Sequence, residues 1–408
     1  MMNKRSLAAI TALTVVIGGS VPVSLMSADS VSAAEHQLTA NQGKATMSDN
    51  NKKFTDTAGH WAEGAIYEAV KRGYVTGYPS GKFLPNHKVT RAEFVKMAVS
   101  ALNLPVGSSL SDSWYVKYVD AAKSSGIFAT GDFADADWNK PLTREEMAKV
   151  AVRALGSVTK VEENQWMYLA AKNGIISGTS PGEISPNGAT TRAQAISVIE
   201  RMLKVKNGEK LPADKYAVAA AEVFWHKTNI FTVASEIFNG PDNKNIYSGI
   251  RSWKISKLRV ASPNGNIVGQ VDSLIAIDWN DPKDPNRKLL PSKDKLLWRI
   301  GAKTKVLGDD MDAYIVLLQS SILVNKDPKR YPFNELALGI RGYNGKPDIN
   351  NFNQPALLES KDQSRQINGL VIPKNKFSTK GEIQIEVETI SIGAPIYSNV
   401  LSTSVLIK

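Results

Sequence analysis

Three arginines in matching surroundings are the residues of this sequence best placed to bind a charged ligand. Arg91, Arg144 and Arg192 each follow a threonine, and each comes 18 residues after a glycine. If each arginine begins a helix, its guanidinium group lies beside the free backbone N–H groups and the positive end of the helix dipole. A guanidinium group also matches a carboxylate with two parallel hydrogen bonds. The three positions therefore predict sites for an anion, and a carboxylate fits best.

The arginines belong to an internal repeat, with 53 and 48 residues between successive copies. The related tetrads are Thr90–Glu93, Thr143–Glu146 and Thr191–Gln194. In each, the threonine can cap a helix, and the Glu or Gln three residues later can bond back to the N–H of the cap. Apolar residues then follow at i, i+3, i+4, i+7 and i+8. This pattern predicts a capped helix with one buried stripe in every copy.

An earlier helix is predicted before each tetrad, with a tryptophan near its start at Trp61, Trp114 and Trp166. A glycine follows each of these helices, where a positive φ angle would end the helix. The glycines are Gly73, Gly126 and Gly174. Each copy is therefore helix, loop and capped helix, and the first helix of the third copy is expected to be about a turn shorter. Because one copy has little to bury its stripe against, the three should pack together.

Residues 54–204 resemble three tandem S-layer homology domains. The resemblance rests on Phe54-Thr55-Asp56 followed by His60-Trp61, on the segment from Gly73 to Pro79, and on the tetrad that begins at Thr90. The repeats then span 54–105, 106–157 and 158–204. The resemblance implies an all-α, pseudo-three-fold helical bundle. It also implies that grooves between the repeats bind secondary cell-wall polysaccharide, which often bears pyruvate ketals.

The predicted polysaccharide site combines the arginines with side chains that suit a sugar. Aromatic rings can stack on the flat apolar faces of sugars, and the resemblance implies that acidic residues ahead of the tryptophan helices accept sugar hydroxyls. The predicted ligand-binding residues are Arg91, Arg144, Arg192, Thr90, Thr191, Trp61, Trp114, Tyr78, Asp56 and Asp112, with Trp138 as a further aromatic candidate. The alternative is that the arginine stems cover neighbouring helices and that the tryptophans are core residues.

The copies differ, which predicts one or two working grooves rather than three. Glu145 lies next to Arg144, where a carboxylate would weaken anion binding by repulsion or by pairing with the arginine. We therefore expect Arg91 to contribute most to binding and Arg192 to come next.

The first 34 residues have the pattern of a secretory signal peptide. Lys4-Arg5 precedes an apolar stretch from Leu7 to Val23, and small residues follow at Ser32-Ala33-Ala34. The alternative is an uncleaved membrane anchor, but Gly18-Gly19 and Pro22 interrupt the apolar run. Residues 35–53 are expected to be a flexible linker, and no later stretch is apolar for the ~18–20 residues that a membrane span needs.

The composition excludes several kinds of site. The 408 residues include no cysteine and only four histidines, so disulfides, thiolate metal sites and cysteine nucleophiles are excluded. Lys and Arg number 50 against 39 Asp and Glu, a net charge of +11. The excess is spread over both halves without the run of five like charges that a nucleic-acid arm usually shows. This distribution is typical of a mildly basic surface, and it would also suit an extended anionic polymer. We expect no cofactor and no metal ion.

Residues 205–215 are predicted to be a linker, and residues 216–408 a mainly-β, sandwich-like region, immunoglobulin-like in part. Glu382–Glu388 alternates apolar and polar residues, and an Asn-Gly turn divides Val260–Val268. The other predicted strands are Ile230–Ala234, Ser273–Trp279, Leu296–Ile300, Tyr314–Leu318 and Val400–Ile407. This region resembles no family that we recognise.

Two acidic clusters in the second half are candidate sites. Asp278, Asn280, Asp281 and Asp284 could bind calcium through oxygen ligands, and the alternative is a solvated turn, since Lys283 interrupts the cluster. Asp309, Asp310 and Asp312 could include the carboxylate pair of a glycosidase. No nucleophile elbow, phosphate loop or zinc motif is present, so we expect no catalysis.

These features predict a secreted bacterial protein of the cell wall or S-layer. The repeats would anchor it non-covalently to pyruvylated wall polysaccharide, while the β-rich region serves surface display or assembly. The alternatives are a wall-anchored glycan hydrolase with its active site in residues 216–408, and a subunit that assembles into a surface lattice.

Overall fold

The computed structural model describes residues 54–109, 111–156, 161–239, 249–343, 348–350, 352–362, 367–375, 379–393 and 395–405. They belong to one contact unit, Asn50–Lys408. The predicted signal peptide (1–34) and flexible linker (35–53) lie outside the described residues. Among the helices described, none has the length and apolar character needed to cross a membrane.

Six helices build the repeats over the residues that the structure describes, as the sequence pattern predicts. They are α1 (Glu63–Lys71), α2 (Arg91–Ala101), α3 (Val116–Ser124), α4 (Arg144–Ala154), α5 (Gln165–Lys172) and α6 (Arg192–Lys206). The capping boxes before α2, α4 and α6 are all confirmed, with both hydrogen bonds of each box present. The glycines after α1, α3 and α5 have φ angles of 76°, 73° and 68°. The first helix of the third repeat is one residue shorter than the other two, not a full turn.

The six helices pack in a cyclic order. The second helices of the repeats, α2, α4 and α6, contact one another, and each first helix packs on the second helix of another repeat: α3 on α2, α5 on α4, and α1 on α6. One apolar core joins them, with Phe94, Met147 and Ile199 fully buried. Every helix pair named here joins two different repeats, so the three repeats depend on each other.

Three backbone hydrogen bonds close a ring at the centre of the repeats. Val89 donates to the carbonyl of Thr190 at 2.9 Å, Thr190 donates to Leu142 at 2.8 Å, and Leu142 donates to Val89 at 2.8 Å. Each of these residues comes just before the tetrad of its repeat. The ring therefore fixes the starts of α2, α4 and α6 relative to one another.

The expected β-rich start at residue 216 is wrong, because a helix begins there. Helix α7 (Lys215–His226) is capped by Asp214, packs on α5, and buries Ala217 and Trp225 in the helical core. The predicted linker shrinks accordingly, since α6 continues to Lys206. The described residues that follow include three short helices: α8 (Ile230–Val233), α9 (Ser235–Phe238) and α10 (Gly249–Ser252).

The strand predicted at Ile230–Ala234 is also wrong, since this segment forms α8. The buried carboxyl group of Glu222 accepts hydrogen bonds from the backbone N–H of Phe231 and the hydroxyl of Thr232. A carboxyl oxygen at the first turn of a helix accepts from backbone N–H groups that have no partner within the helix. By sequence alone, the apolar run Ile230–Ala234 fits a strand or a helix, and the tertiary contact with Glu222 favours the helix.

Ten strands form two antiparallel sheets in the described part of the remainder. They are β1 (Arg259–Ala261), β2 (Ile267–Asp278), β3 (Leu296–Ile300), β4 (Lys303–Val306), β5 (Ala313–Asn325), β6 (Leu336–Tyr343), β7 (Ala356–Ser360), β8 (Gly369–Pro373), β9 (Thr379–Thr389) and β10 (Ser398–Val405). The larger sheet has the order β1-β2-β5-β8-β7-β3-β4, and the smaller one β10-β9-β6. The strands predicted at Leu296–Ile300 and Tyr314–Leu318 and the hairpin at Val260–Val268 are confirmed. The strand predicted at Ser273–Trp279 is confirmed up to Asp278, and the one at Val400–Ile407 up to Val405, beyond which its last two residues lie outside the described residues.

The two sheets share an apolar core. Leu274 of β2 and Val316 of β5 belong to the same buried cluster as Ile385 of β9 and Leu401 of β10. The alternation predicted in β9 is confirmed, with Ile383, Ile385 and Val387 all buried. A second cluster, which includes Trp298, lies on the opposite side of the larger sheet.

Candidate functional site

Each predicted arginine lies in a notch where the loop of one repeat covers the start of a helix from another. In the first notch, residues 133–141 cover the start of α2. In the second, residues 177–189 cover α4, and in the third, residues 76–88 cover α6. Loop carbonyls accept from the first helical N–H groups of all three helices, for example Lys140 from Arg91 at 3.1 Å and His87 from Arg192 at 2.8 Å. The helix-start N–H groups that were expected to bind an anion are therefore already bonded.

The guanidinium groups are buried, whereas the sequence prediction placed them at an open groove. Arg91, Arg144 and Arg192 are 4%, 6% and 9% exposed. Each side chain runs under the loop that covers its helix and donates to carbonyl groups of that loop. The other partners of the three guanidinium groups differ. They determine in which notch the positive charge is neutralised by a carboxylate.

In the first notch, two carboxylates neutralise the positive charge of Arg91. Arg91 donates to Glu146 with Nε at 3.2 Å and to Asp135 with Nη1 at 2.7 Å. Burial alone would lower the pKa of Arg91, but Glu146 and Asp135 raise it. Asp135 also pairs with Lys140 at 2.6 Å, and this contact and the one with Arg91 lower its pKa. The expectation that Arg91 contributes most to anion binding therefore has no support, since its charge is already paired.

In the second notch, the guanidinium group of Arg144 bonds to carbonyl groups and not to a described carboxylate. Arg144 donates from Nε to the carbonyl of Ile184 at 2.9 Å and from Nη2 to that of Ser177 at 2.7 Å. Burial lowers its pKa, because carbonyl groups satisfy the N–H donors without supplying a negative charge. Glu145, which was expected to weaken anion binding here by repulsion or by pairing with Arg144, lies 3.4 Å from Lys149 in its own helix. Its effect on anion binding stays a prediction.

The third notch repeats this geometry with aromatic rings added. Arg192 donates from Nε to the carbonyl of Phe83 at 3.1 Å and from Nη2 to that of Thr76 at 3.2 Å. Its guanidinium carbon lies 4.6 Å from the ring centre of Phe83 and 5.2 Å from that of Tyr78. In the part of the chain that the structure describes, Nη1 of Arg192 and of Arg144 takes no hydrogen-bond partner, and no carboxylate pairs with either.

Asp56 and Tyr78 of the first repeat lie with Arg192 of the third, not with Arg91 of their own repeat. Asp56 accepts from the backbone N–H groups of Phe83 and Leu84 at 2.7 and 2.8 Å, and so holds the loop of the third notch. Burial alone would raise the pKa of Asp56, but these hydrogen bonds outweigh it and keep the pKa below its ordinary value.

The other predicted residues are less closely grouped. Trp61 is 65% exposed at the start of α1, and Asp112 is exposed. The hydroxyls of Thr90 and Thr191 accept the capping hydrogen bonds of α2 and α6. Trp114 is half-buried, with Nζ of Lys96 5.6 Å from its ring centre. Trp138 packs on Tyr115, Phe128 and Phe133 in the first notch.

Sequence reasoning missed the role of Glu146 and of the carbonyls of Thr76 and Ser177. A signal for Glu146 was present, since the third repeat has Gln194 at the equivalent position. The carbonyl groups carry no side-chain signature, so only the folded loop shows them.

The acidic clusters of the second half are mostly paired. Asp278 accepts from Lys374 at 2.6 Å and lies 3.4 Å from Lys215. Asp309 pairs with Lys293. Among the described residues, no group of three or more His, Cys, Asp or Glu side chains is arranged to hold a metal ion. Asp310 and Asp312 line a cleft of about 350 Å³ together with Trp298 and Phe352.

Comparison with known proteins identifies the class to which the repeats belong. The family model described as "S-layer homology domain" matches residues 53–95 and 167–196, in the first and third repeats. The chain therefore carries S-layer homology domains in these two regions.

Particular relatives agree with this assignment. An amylopullulanase of Thermoanaerobacterium thermosulfurigenes is 32% identical over 179 residues, which is 38% of this chain and 10% of that protein. S-layer protein EA1 of Bacillus anthracis is 30% identical over 188 residues, 40% of this chain and 22% of that protein. An S-layer protein of Bacillus thuringiensis subsp. finitimus is 30% identical over 174 residues, 37% of this chain and 21% of that protein. The chain thus matches between a tenth and about a fifth of each of these relatives. The family and the relatives place the protein outside the cell, at the cell wall or surface layer.

Proposed function

We propose that the repeats anchor this protein non-covalently to the cell wall by binding an acidic secondary wall polysaccharide, with a pyruvate ketal as the recognised group. The observation that carries the proposal is the third notch, where no described carboxylate pairs with Arg192 and no described group bonds to its Nη1, next to the ring of Tyr78. A ketal carboxylate would supply the missing negative charge, and the attached sugar would lie near the aromatic ring.

The second notch is proposed as a further site of the same kind, and the first is not. Arg144 and Arg192 bond to carbonyls at equivalent positions, three and ten residues after the glycine of the covering repeat. Arg91 is paired with Glu146 and Asp135 instead. The proposal is therefore that two of the three notches bind an anion, with Arg192 and Arg144 in place of Arg91 as the main contributors.

Two finer features of the fold are part of the proposal. The cyclic helix packing and the ring formed by Val89, Leu142 and Thr190 support a pseudo-three-fold bundle. The core shared by the two sheets supports a sandwich-like arrangement that would display or assemble the C-terminal region at the surface.

Sedimentation with purified wall sacculi tests the anchoring. The full chain should sediment with sacculi and stay in solution once the polysaccharide has been extracted. Arg192→Gln should reduce the bound fraction several-fold. Lys71→Gln, the same change of charge at an exposed position at the end of α1, should not. Equal binding to extracted sacculi would show that the polysaccharide is not the partner.

A wall-anchored glycan hydrolase is a second candidate, favoured by the cleft that holds Asp310 and Asp312. Its aromatic wall, Trp298 and Phe352, would suit a sugar ring. Some relatives are enzymes by name, such as the amylopullulanase. Incubating the chain with wall glycan and assaying reducing ends tests this. Release that is abolished by Asp310→Asn and by Asp312→Asn would support it, and no release would reject it.

A further inference from the structure

A separate cavity lies beside the third repeat, away from the three notches. It has a volume of about 420 Å³ and opens between α5, α7 and the segment Trp253-Lys254. Tyr168, Trp225 and Trp253 provide aromatic surface, and Lys172 and Lys254 provide positive charge. Aromatic faces beside cations suit a ring that is partly apolar and carries an acidic group.

His226 gives the cavity an unsatisfied buried group. The side chain lines the cavity and is only 3% exposed. Its Nε2 lies 3.6 Å from a carboxylate oxygen of Glu162, while Nδ1 has no hydrogen-bond partner within the described ranges. Buried polar atoms without a partner are rare in folded proteins and call for an explanation.

The proton of this imidazole is best placed on Nε2. Burial lowers the pKa of His226 to about 4, so the ring is neutral at neutral pH and carries one proton. The nearby carboxylate of Glu162, which also accepts from Nε1 of Trp225 at 3.1 Å, favours that proton on the nitrogen that faces it. Nδ1 then presents a lone pair, which can accept a hydrogen bond from a hydroxyl group.

We propose that this cavity binds a sugar residue that carries a carboxylate. The sugar ring would lie against Tyr168 and Trp225, its carboxylate would face Lys172 and Lys254, and one of its hydroxyls would donate to Nδ1 of His226. Since the walls come from the third repeat and from the chain after it, this site couples the C-terminal region to an acidic glycan. It does not depend on the notches.

Titration of the full chain with methyl glycosides tests the proposal, with tryptophan fluorescence as the readout. The probes are methyl glucuronide, the 4,6-pyruvate ketal of methyl galactoside, and neutral methyl glucoside. We expect one of the two acidic probes to bind at least about tenfold more tightly than the neutral one, and the tighter of the two identifies the source of the carboxylate. Lys172→Gln/Lys254→Gln should weaken that binding about tenfold. Both lysines are exposed, so the double variant should fold.

Two further measurements separate this site from the notches. Arg192→Gln should leave the binding of the acidic glycoside to the cavity unchanged even if it abolishes sedimentation with walls. The ¹⁵N resonance of Nδ1 in His226 should move on binding, because a lone pair that gains a donor changes its shift. Equal affinity for the neutral glycoside, no loss in the double lysine variant, or an unmoved His226 resonance would each overturn the proposal.

Discussion

Replacing Glu146 by glutamine tests whether the first notch is held by a buried ion pair. The carboxylate is 6% exposed on its side chain and faces Arg91, which is 4% exposed. Glutamine can still bond to the N–H of the cap, as Gln194 does with Thr191 at 3.1 Å in the third repeat. The substitution therefore removes the negative charge opposite Arg91 while keeping the capping box.

The expected loss follows from the burial of the pair. Removing one member of a buried ion pair costs about 3–5 kcal/mol, since the other charge stays buried without its partner. Asp135 still contacts Arg91 at 2.7 Å but is 43% exposed on its side chain, so it compensates in part. We expect a loss of about 3 kcal/mol in the free energy of unfolding, at the lower end of that range.

Urea unfolding followed by circular dichroism measures this loss, and Glu93→Gln is the matched control. Glu93 occupies the same capping position in the first repeat and bonds to the N–H of Thr90 at 2.9 Å, but among the described residues it pairs with no arginine. The control should change stability by no more than about 0.5 kcal/mol. Equal losses in the two variants would refute the claim that Arg91 is neutralised by Glu146.

Three other variants test separate parts of the structure. Burial raises the pKa of Glu222 from its ordinary value of 4.5 to about 8. Between these values the folded chain holds a proton that the unfolded chain releases, so the free energy of unfolding should fall as the pH rises from about 5 to 8. In urea titrations at several pH values, Glu222→Gln should flatten that decline. A Cβ at Gly77 would meet the ring of Phe54 at 2.0 Å, so Gly77→Ala should lower the free energy of unfolding by about 1–3 kcal/mol, whereas Gly64→Ala, with open space around it, should not lower it. Trp61 is exposed, so Trp61→Ala should leave the melting temperature unchanged. If the ring stacks on the sugar, the same substitution should weaken wall binding by about 1 kcal/mol. Unchanged wall binding would show that Trp61 is not part of the site.

Local features of the repeats could be predicted from sequence because their causes are local. A capping box needs residues three positions apart, and a glycine with positive φ needs only its own helix end, so both follow from spacing. Because the repeat occurs three times, the same capping residues and glycines appear at matching positions in each copy, which strengthens the prediction. Strand β9 was predictable for the same reason, since its alternation is carried by neighbouring residues.

The chemistry of the notches could not be predicted because its causes are distant in sequence. Arg192 bonds to Phe83, 109 positions away, and Arg91 pairs with Glu146, 55 positions away. The cyclic packing brings each arginine under the loop of a different repeat, so its partners are not those of its own copy. Likewise, α8 forms where a strand was expected because Glu222, on α7, bonds to its first turn.

Calorimetric titration of purified wall polysaccharide into the full chain tests the central claim most directly. The polymer should bind the unchanged chain and Lys71→Gln equally, and Arg144→Gln/Arg192→Gln should bind at least about 100-fold more weakly, since each arginine would lose a charge-assisted hydrogen bond to a ketal carboxylate. Chemical removal of the ketals should weaken binding by the unchanged chain to the same extent. If the double variant binds the intact polymer as tightly as the unchanged chain does, the notches do not hold the wall polymer.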